Sequence, residues 1–582
     1  MQNLISKENS PTNSVQIIEK SGLNIYQFIT LNSASRLLSL LDRNSYSQTY
    51  GSFSRNYWHY KTTDFSSASD QQGVLGLTSL YLLNLPENSF YKNNEVLKLI
   101  EAAINYWSKI QLTDGSFSEW YPNEHSHVAT SFTSYAISET LLLLKESLSK
   151  KTFNNAIKHL KKAGKWLINN IDTMVLNHTA GAVAALYNIY LLTNENIFNE
   201  GAKKNLFALK ELQDSEGWIP EYSGADPGYL GVSIDYLAKY WHKCKDKTSE
   251  EIINKALNFL VWFYQDTRGT TGGEYGSRNV KYILPHGLAL LSNDFPHALW
   301  LENKFEESLI NKKTINPETI DDRYFLFFHY PNYALTSLLY NSDKGNKTSR
   351  PDKFLKYFSS SGLITLKEND FHIIVNLKKG GIASICTSKN IFSDCGYFIK
   401  IKDSDTILTS QTSSEAIQTS EMLNLPLSFT INLKLVKLNT SKPYLSRLLI
   451  FFRIFNYTIG HIPFLMNLFN NYIKKKLIAQ SVPSDLISLE RKIIIETNKI
   501  IFDDVLTAEK SNILLEKLSI EPNTSIMHVP TSKYYTHFDL ERNEKFNPCG
   551  FAEEFNKKGC LKLKRVISII GQEASIDLVV ST

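Results

Sequence analysis

Asp114-Gly115-Ser116-Phe117-Ser118-Glu119-Trp120, at positions 114–120, is a glycine-containing turn whose pattern recurs along the first half of the chain. Related turns stand at Tyr50–Phe53, Asp214–Tyr222 and Gly272–Arg278. Between them, apolar residues recur at three- and four-residue spacing, which predicts helices joined by short connections. Repeated helical hairpins joined by such turns favour helices arranged in a ring, with the turns gathered at one end. An α-solenoid is the alternative, and the sequence separates the two poorly.

Apolar residues continue to recur at helical spacing from about residue 23 to residue 345. The clearest predicted helices are Gly73–Leu85, Val96–Gln111, Ser131–Leu148, Asn154–Ile171, Ala180–Leu192, Leu230–Cys244 and Glu250–Tyr264. The composition then becomes polar and rich in Lys, Ser and Asp around 341–361, which is typical of a linker. We therefore expect one domain over residues 1–345 and a second over residues 346–582.

Beyond this boundary every second residue tends to be apolar, which is the pattern of β-strands. The predicted strands are Phe371–Leu377, Leu427–Val436, Lys492–Glu496, Lys499–Phe502 and Lys562–Ile570. Many short strands without intervening helices favour an antiparallel β-sandwich.

One segment of the second domain, near residues 446–480, is strongly apolar and carries Lys474–Lys476 at its end. Arg453, His461 and Pro463 interrupt it, so no run is long enough to cross a bilayer. The segment is either an amphipathic hairpin in peripheral contact with an anionic membrane surface or a helical insertion packed on the sandwich. The sequence leaves both open.

Charge and cysteine content exclude several functions. A net charge of +5 over 582 residues, without a long basic run, argues against a nucleic-acid partner. The five cysteines have no metal-ligand spacing, so we expect reduced thiols and no cofactor or metal. The first residues lack the apolar stretch of a secretory signal, which predicts a cytoplasmic protein, membrane-associated if the apolar segment docks.

The chemistry-bearing residues are Asn177-His178, at the start of a predicted helix, and Tyr229, at the end of an acidic, glycine-rich turn. An amide can stabilise the enolate-like charge that forms when a proton beside a carboxylate is removed. A phenol or imidazole can take the C5 proton of a uronic acid, and a second donor can protonate the leaving oxygen. Asn177 is then the charge stabiliser, His178 a donor or base, and Tyr229 the acid and also a candidate base. The alternative is that Asn177 caps the helix and His178 is a surface residue.

On these residues the chain resembles the heparinase II/III-like polysaccharide lyases, which carry an Asn-His pair at a helix start and later an Asp-Gly…Glu…Tyr segment. The matching residues here are Asn177, His178, Asp214, Glu221 and Tyr229. The resemblance implies an (α/α) toroid followed by an antiparallel β-sandwich, and lyase activity on acidic glycans.

Two features depart from that family pattern. A Tyr-His dipeptide of the family is Tyr229-Leu230 here, and a further histidine from nearer the sandwich has no clear counterpart. His286 and His329 are the nearest options.

Other candidates for substrate binding lie in or near the turns. His125 and His127 have His-x-His spacing but no evident third ligand, so a pair lining the cleft is favoured over a metal site. Arg278 can offer a bidentate fork to a carboxylate. Glu221, Asp226 and Tyr275 complete the predicted substrate-binding set, with the histidines His286 and His329.

The sequence thus predicts a lyase-like enzyme acting on an acidic, uronate-containing polysaccharide or lipid-linked glycan, with a role in surface-polysaccharide metabolism. The reaction is β-elimination or a related, epimerase-like proton abstraction at C5. A glycoside hydrolase is the first alternative, because Glu119, Glu221, Asp226 and Glu274 all sit in the repeated turns. A non-catalytic glycan-binding or assembly protein is the second.

Overall fold

The computed structural model of the chain describes most of the two predicted domains. The described residues are 22–222, 224–281, 283–315, 319–339, 350–368, 371–388, 391–412, 415–418, 425–438, 446–473, 483–520, 550–570 and 573–580.

The first part is helical throughout. Its helices are α1 Ile25–Asn32, α2 Ala34–Leu40, α3 Arg55–Trp58, α4 Gly73–Leu82, α5 Asn94–Lys109, α6 His127–Leu143, α7 Lys150–Asn169, α8 Leu176–Thr193, α9 Asn196–Leu212, α10 Pro227–Cys244, α11 Lys247–Leu260, α12 Pro285–Leu291, α13 Pro296–Ile310, α14 Asp322–Tyr324 and α15 Tyr330–Leu339. A five-residue π-helix, Phe325–His329, connects the last two. All seven helices predicted from apolar spacing are present, with ends that differ by a few residues.

The helices close into a ring. The inner helices pack in the order α4, α6, α8, α10, α12 and α15, and α15 returns to pack on α4. The helices between them, such as α5, α7, α9 and α11, form an outer layer that packs on the inner one. Inner helices such as α8 are buried on nearly all sides, whereas outer helices such as α7 bury one face only. The contact between α15 and α4 makes this an (α/α) toroid and excludes the solenoid.

Three of the predicted turns share one backbone geometry. Gly51, Gly115 and Gly217 have φ values of 92°, 97° and 103°, where residues with a Cβ are strained. A Cβ on any of them would lie 2.2–2.5 Å from a carbonyl oxygen of the next outer helix. Glycine therefore lets each turn lie against that helix. The fourth turn, Gly272–Arg278, packs instead on residues 226–228 and 280.

The second part is an antiparallel β-sandwich of two sheets. Its strands are β1 Phe354–Phe358, β2 Leu363–Glu368, β3 Phe371–Asn376, β4 Ile382–Thr387, β5 Ile391–Asp394, β6 Tyr397–Ile401, β7 Ile407–Thr409, β8 Glu415–Gln418, β9 Leu427–Lys437, β10 Pro483–Ile495, β11 Lys499–Ala508, β12 Leu515–Ile520, β13 Cys560–Ile570 and β14 Glu573–Val580. The five-stranded sheet runs β1-β2-β3-β4-β5, and the other runs β12-β6-β7-β9-β10-β11-β13-β14, with β8 beside β9. Apolar side chains from both sheets share one core. The predicted sandwich is confirmed.

The five-stranded sheet contacts the turns of the toroid. Lys379 Nζ donates to the carbonyl oxygens of Glu274 (2.9 Å) and Gly276 (2.8 Å), and Asn376 Nδ2 donates to that of Tyr275 (2.6 Å). Ser360 N donates to Glu216 Oε1 at 2.7 Å. The sandwich thus holds the Gly272–Arg278 turn in place.

The predicted domain boundary, between residues 345 and 346, lies outside the described residues. The apolar segment forms two helices, α16 Ser446–Thr458 and α17 Pro463–Ile473, and α18 Phe551–Lys558 is a further helix between strands. No described helix is long and apolar enough to cross a membrane.

Candidate active site

The start of helix α8 and the turn before α10 meet at the end of the ring. Val175 and Glu221 form an antiparallel bridge, and Tyr222 N donates to the Met174 carbonyl oxygen at 3.1 Å. This pairing brings the Asn177 side chain to Glu221, where Asn177 Nδ2 donates to Glu221 Oε2 at 2.8 Å. The residue that precedes α8 is Val175, and no side chain caps the helix, so the N-cap alternative for Asn177 is wrong.

Glu221 is a buried acid. Burial raises the pKa of Glu221 well above its usual range, and the Asn177 amide and the Arg278 charge oppose that shift. The Glu221 carboxyl is therefore biased toward its neutral form, in which it can donate a hydrogen bond. Asn177 is itself only 2% exposed.

His178 lies one residue further along the same helical turn. Its Nδ1 is 3.1 Å from Asp172 Oδ2, and this contact orients the imidazole. Asp172 is held in turn by the backbone, because its Oδ1 accepts hydrogen bonds from the N–H groups of Met174 and Val175. The His127 ring, from the first residue of α6, stacks near His178 with 6.1 Å between ring centroids.

Asp226 connects Tyr229 to the Gly272–Arg278 turn. It is the N-cap of α10, and its Oδ1 accepts from Tyr229 N (2.9 Å) while its Oδ2 accepts from Arg278 N (2.7 Å). Burial raises the pKa of Asp226, and these two N–H contacts oppose the rise. Both carboxylate oxygens are thus engaged in positioning two other residues of the site.

Two phenols lie beside this connection. Burial raises the pKa of Tyr229 well above its usual range, and neighbouring Tyr324 and Glu221 reinforce the rise. Burial likewise raises the pKa of Tyr222 to about 12. The Arg278 guanidinium lies over the Tyr222 ring, with 4.3 Å from Cζ to the centroid. Near neutral pH both phenols therefore carry their protons.

The second turn supplies an aromatic surface. Trp120 is 58% exposed, and the Arg323 guanidinium lies 3.9 Å from its ring centroid. Arg323 Nη2 also donates to Glu119 Oε1 at 2.5 Å. The charge of Glu119 adds slightly to the raised pKa of Tyr222, which is caused mainly by burial.

Comparison with known proteins finds one matching family model and several similar structures. Residues 86–287 match the family model described as the ulvan lyase N-terminal domain. This match covers the central part of the helical domain, which is therefore similar to that family's N-terminal domain. No curated protein sequence matches the chain.

Solved polysaccharide lyases have a similar fold at low sequence identity. Streptomyces coelicolor A3 chondroitin AC lyase, in complex with chondroitin sulphate, has a TM-score of 0.47 and 10% identity, over 85% of this chain and 71% of that one. A heparan sulfate lyase mutant from Pedobacter heparinus has a TM-score of 0.43 and 10% identity, over 84% of this chain and 71% of that one. Heparinase III has a TM-score of 0.44 and 9% identity, over 77% of this chain and 64% of that one.

Several predicted site residues lie elsewhere in the helical domain. His125 is buried, with Nδ1 2.7 Å from Asp114 Oδ2 and 2.8 Å from Ser116 Oγ, so it stabilises the second turn. Tyr275 is 0% exposed and its hydroxyl donates to the Thr271 carbonyl oxygen at 2.7 Å. Both side chains are thus held within their own turns.

The two histidines considered as the further family histidine are also buried. His329 lies in the π-helix, and burial lowers its pKa to about 3. His286 begins the first turn of α12 beside a polar network that contains Asp235, Lys239 and Asn332, and burial lowers its pKa well below its usual range. The histidine that the structure brings to Asn177-His178 is His127.

Four residues near the site were missed by the sequence reasoning: Asp172, Tyr222, Arg323 and Tyr324. Tyr222 has a φ of 51°, a left-handed conformation for which its sequence carries no signal. Asp172 stands six residues before His178 in an irregular segment, and Arg323 comes from the far end of the domain. Tyr222 is placed by its backbone hydrogen bond to Met174, and Asp172 by the loop before α8.

Proposed function

We propose that the protein cleaves a uronate-containing polysaccharide or oligosaccharide by β-elimination. The observation that carries the proposal is the buried Asn177–Glu221 hydrogen bond, flanked by an Asp-oriented imidazole and a protonated phenol. This set contains a charge stabiliser, a base and an acid.

Asn177 and Glu221 are assigned to the substrate carboxylate. An asparagine amide has two N–H donors, and only one is used by Glu221. The other N–H, together with the proton of a neutral Glu221, can hydrogen-bond the uronate carboxylate. Such donors stabilise the negative charge that moves onto the carboxylate oxygens when the C5 proton leaves.

His178 is assigned as the base and Tyr229 as the acid. The raised pKa of Tyr229 disfavours a phenolate base but suits a proton donor. His178 takes the C5 proton, the C5 electron pair forms the C4=C5 double bond, and the C4–O bond breaks. Tyr229 gives its proton to the leaving oxygen, and proton exchange with water restores both side chains.

The hydrolase alternative is weakened by the state of the turn carboxylates. Hydrolysis needs two carboxyl groups facing the scissile bond. Asp226 is engaged by two backbone N–H groups, and Glu274 is 0% exposed and paired with Arg268 at 2.5 Å. Glu119 is paired with Arg323.

Ultraviolet absorbance tests the proposal directly. The purified protein is incubated with acidic polysaccharides, including ulvan, which the matched family's name suggests, and the absorbance of unsaturated uronate is followed. We expect a rise that is lost in Tyr229→Phe, which keeps the ring but not the proton. A new reducing end without absorbance would instead favour hydrolysis, and no change on any substrate would favour the glycan-binding alternative.

We also propose that helices α16 and α17 contact an anionic membrane surface. Their inner face rests on the toroid, since Asn123 Nδ2 donates to the Asn456 carbonyl oxygen at 2.9 Å and Tyr121 packs edge-on against Phe452. Their outer face exposes large apolar side chains, namely Ile450, Phe451, Ile454, Tyr457, Ile459, Ile462, Phe464, Leu465 and Leu468. Arg447 and, in sequence, Lys474–Lys476 add positive charge at the two ends.

Vesicle flotation tests this contact. We expect the protein to float with vesicles containing phosphatidylglycerol, and the double variant Phe451→Ser, Phe464→Ser to lose that binding. Phe207→Ser is the matched control, because Phe207 is equally exposed on α9. Equal flotation of all three proteins would reject the proposal. It would also be rejected if the double variant lost self-association but not lipid binding.

A further inference from the structure

Three side chains beside Asn177 form a compact cluster of metal-ligating type. His127, Asp172 and His178 each offer one ligand atom, and these atoms lie within 4.8 Å of one another. The side chains of Asp172 and His178 are 7% and 17% exposed, so solvent reaches the cluster mainly at His178. They come from the start of α6, from the loop before α8 and from α8 itself.

Two imidazoles and one carboxylate are a common protein ligand set for zinc in an open site. At bond lengths of about 2.0–2.2 Å, tetrahedral ligand atoms lie about 3.4 Å apart. The His178–Asp172 pair is already at 3.1 Å, and the other ligand-atom separations, at most 4.8 Å, must shorten for one ion to be bound by all three. Asp172 is pre-oriented by two backbone N–H groups, which leave its Oδ2 directed to His178.

We propose that His127, Asp172 and His178 bind one divalent transition-metal ion of the zinc type. The ion and the C5 proton compete for His178, because a neutral imidazole has a single ring lone pair. With that pair given to the metal, His178 cannot act as a base, so a bound ion inhibits the lyase. The competition rests on the proposed function, whereas the binding site does not.

Calorimetric titration of the chelator-treated full-length protein with zinc chloride tests the site. We expect one ion per chain, with binding at least about tenfold weaker in His127→Gln and in Asp172→Asn. Asp172→Asn keeps the Oδ1 acceptor for the loop N–H groups, and circular dichroism checks that both variants fold. His159→Gln on α7 is the matched control, and it keeps wild-type affinity. Equal affinity in all four proteins overturns the site.

Acylation of His178 by diethyl pyrocarbonate tests the competition without needing a substrate, since the reagent attacks the same lone pair. Mass spectrometry should show His178 acylated in the metal-free protein and protected by saturating zinc. Unchanged acylation, or full β-elimination activity with zinc bound, overturns the competition. Absence of any β-elimination activity together with stoichiometric zinc binding would reject the proposed function and leave the metal site standing.

Discussion

Asn177→Ala removes the amide on which the proposed chemistry depends. The lost contact is a 2.8 Å hydrogen bond from Nδ2 to Glu221 Oε2 in a buried site. Loss of one such preorganised donor costs about 2.7–4 kcal/mol in the transition state, or about 10²–10³ in kcat. Leaving a buried acceptor without its donor costs about 1–3 kcal/mol of folding free energy. We therefore expect a large catalytic loss and a moderate loss of stability.

Asn188→Ala separates these two effects. Asn188 lies on the same helix, is equally buried, and its Nδ2 donates to Glu139 Oε2, also at 2.8 Å. Its Oδ1 accepts from Lys243 as well, so its removal destabilises the fold at least as much. Because Asn188 is outside the proposed site, its variant should keep kcat within about threefold of wild type.

The assay compares kcat, from absorbance at saturating substrate, with the free energy of unfolding from denaturant titration. Equal destabilisation with a catalytic loss only in Asn177→Ala supports the assigned role. If Asn177→Ala keeps kcat within tenfold of wild type while folded, or if Asn188→Ala loses activity to the same extent, Asn177 is a structural residue.

Three further predictions follow from the turns. Gly217→Ala should lower the free energy of unfolding by about 2–5 kcal/mol, because the backbone is left-handed and the new Cβ would lie 2.2 Å from the Lys255 carbonyl oxygen. Gly550→Ala, at a φ of 110° with nothing within 4 Å, should cost only about 1–2 kcal/mol. Equal losses in denaturant titration would contradict this difference. Burial raises the pKa of Glu124 from 4.5 to about 8, so unfolding between these pH values releases a proton. The free energy of unfolding should therefore fall from pH 4.5 to pH 8 by up to about 1.4 kcal/mol per pH unit. Glu124→Gln should reduce this slope, and an unchanged slope would contradict the buried-acid prediction. Arg278→Lys should raise KM more than it lowers kcat, because the stacked fork over Tyr222 is lost; steady-state kinetics with the reverse ratio would place Arg278 in the chemical step.

Local pattern was enough to predict the class of the seven helices and five strands named in the sequence analysis. The helix Ala180–Leu192 was found because its apolar residues recur every three to four positions, and the strand Leu427–Val436 because its apolar residues alternate. In both elements this spacing reflects which face is buried. Helix starts were less accurate: α6 begins at His127 and α8 at Leu176, upstream of the predicted starts. Asn177 consequently lies inside the first turn, with its side chain available to Glu221.

The sequence by itself determined the element types, the glycine turns and the Asn177-His178 pair, since each depends on neighbouring residues. Only the tertiary structure decided ring closure, which depends on α15 packing on α4 across most of the domain. It also decided which polar residues share the site. His286 and His329 are buried in the helical layers, while His127 and Asp172 meet His178, because α6 packs directly on α8.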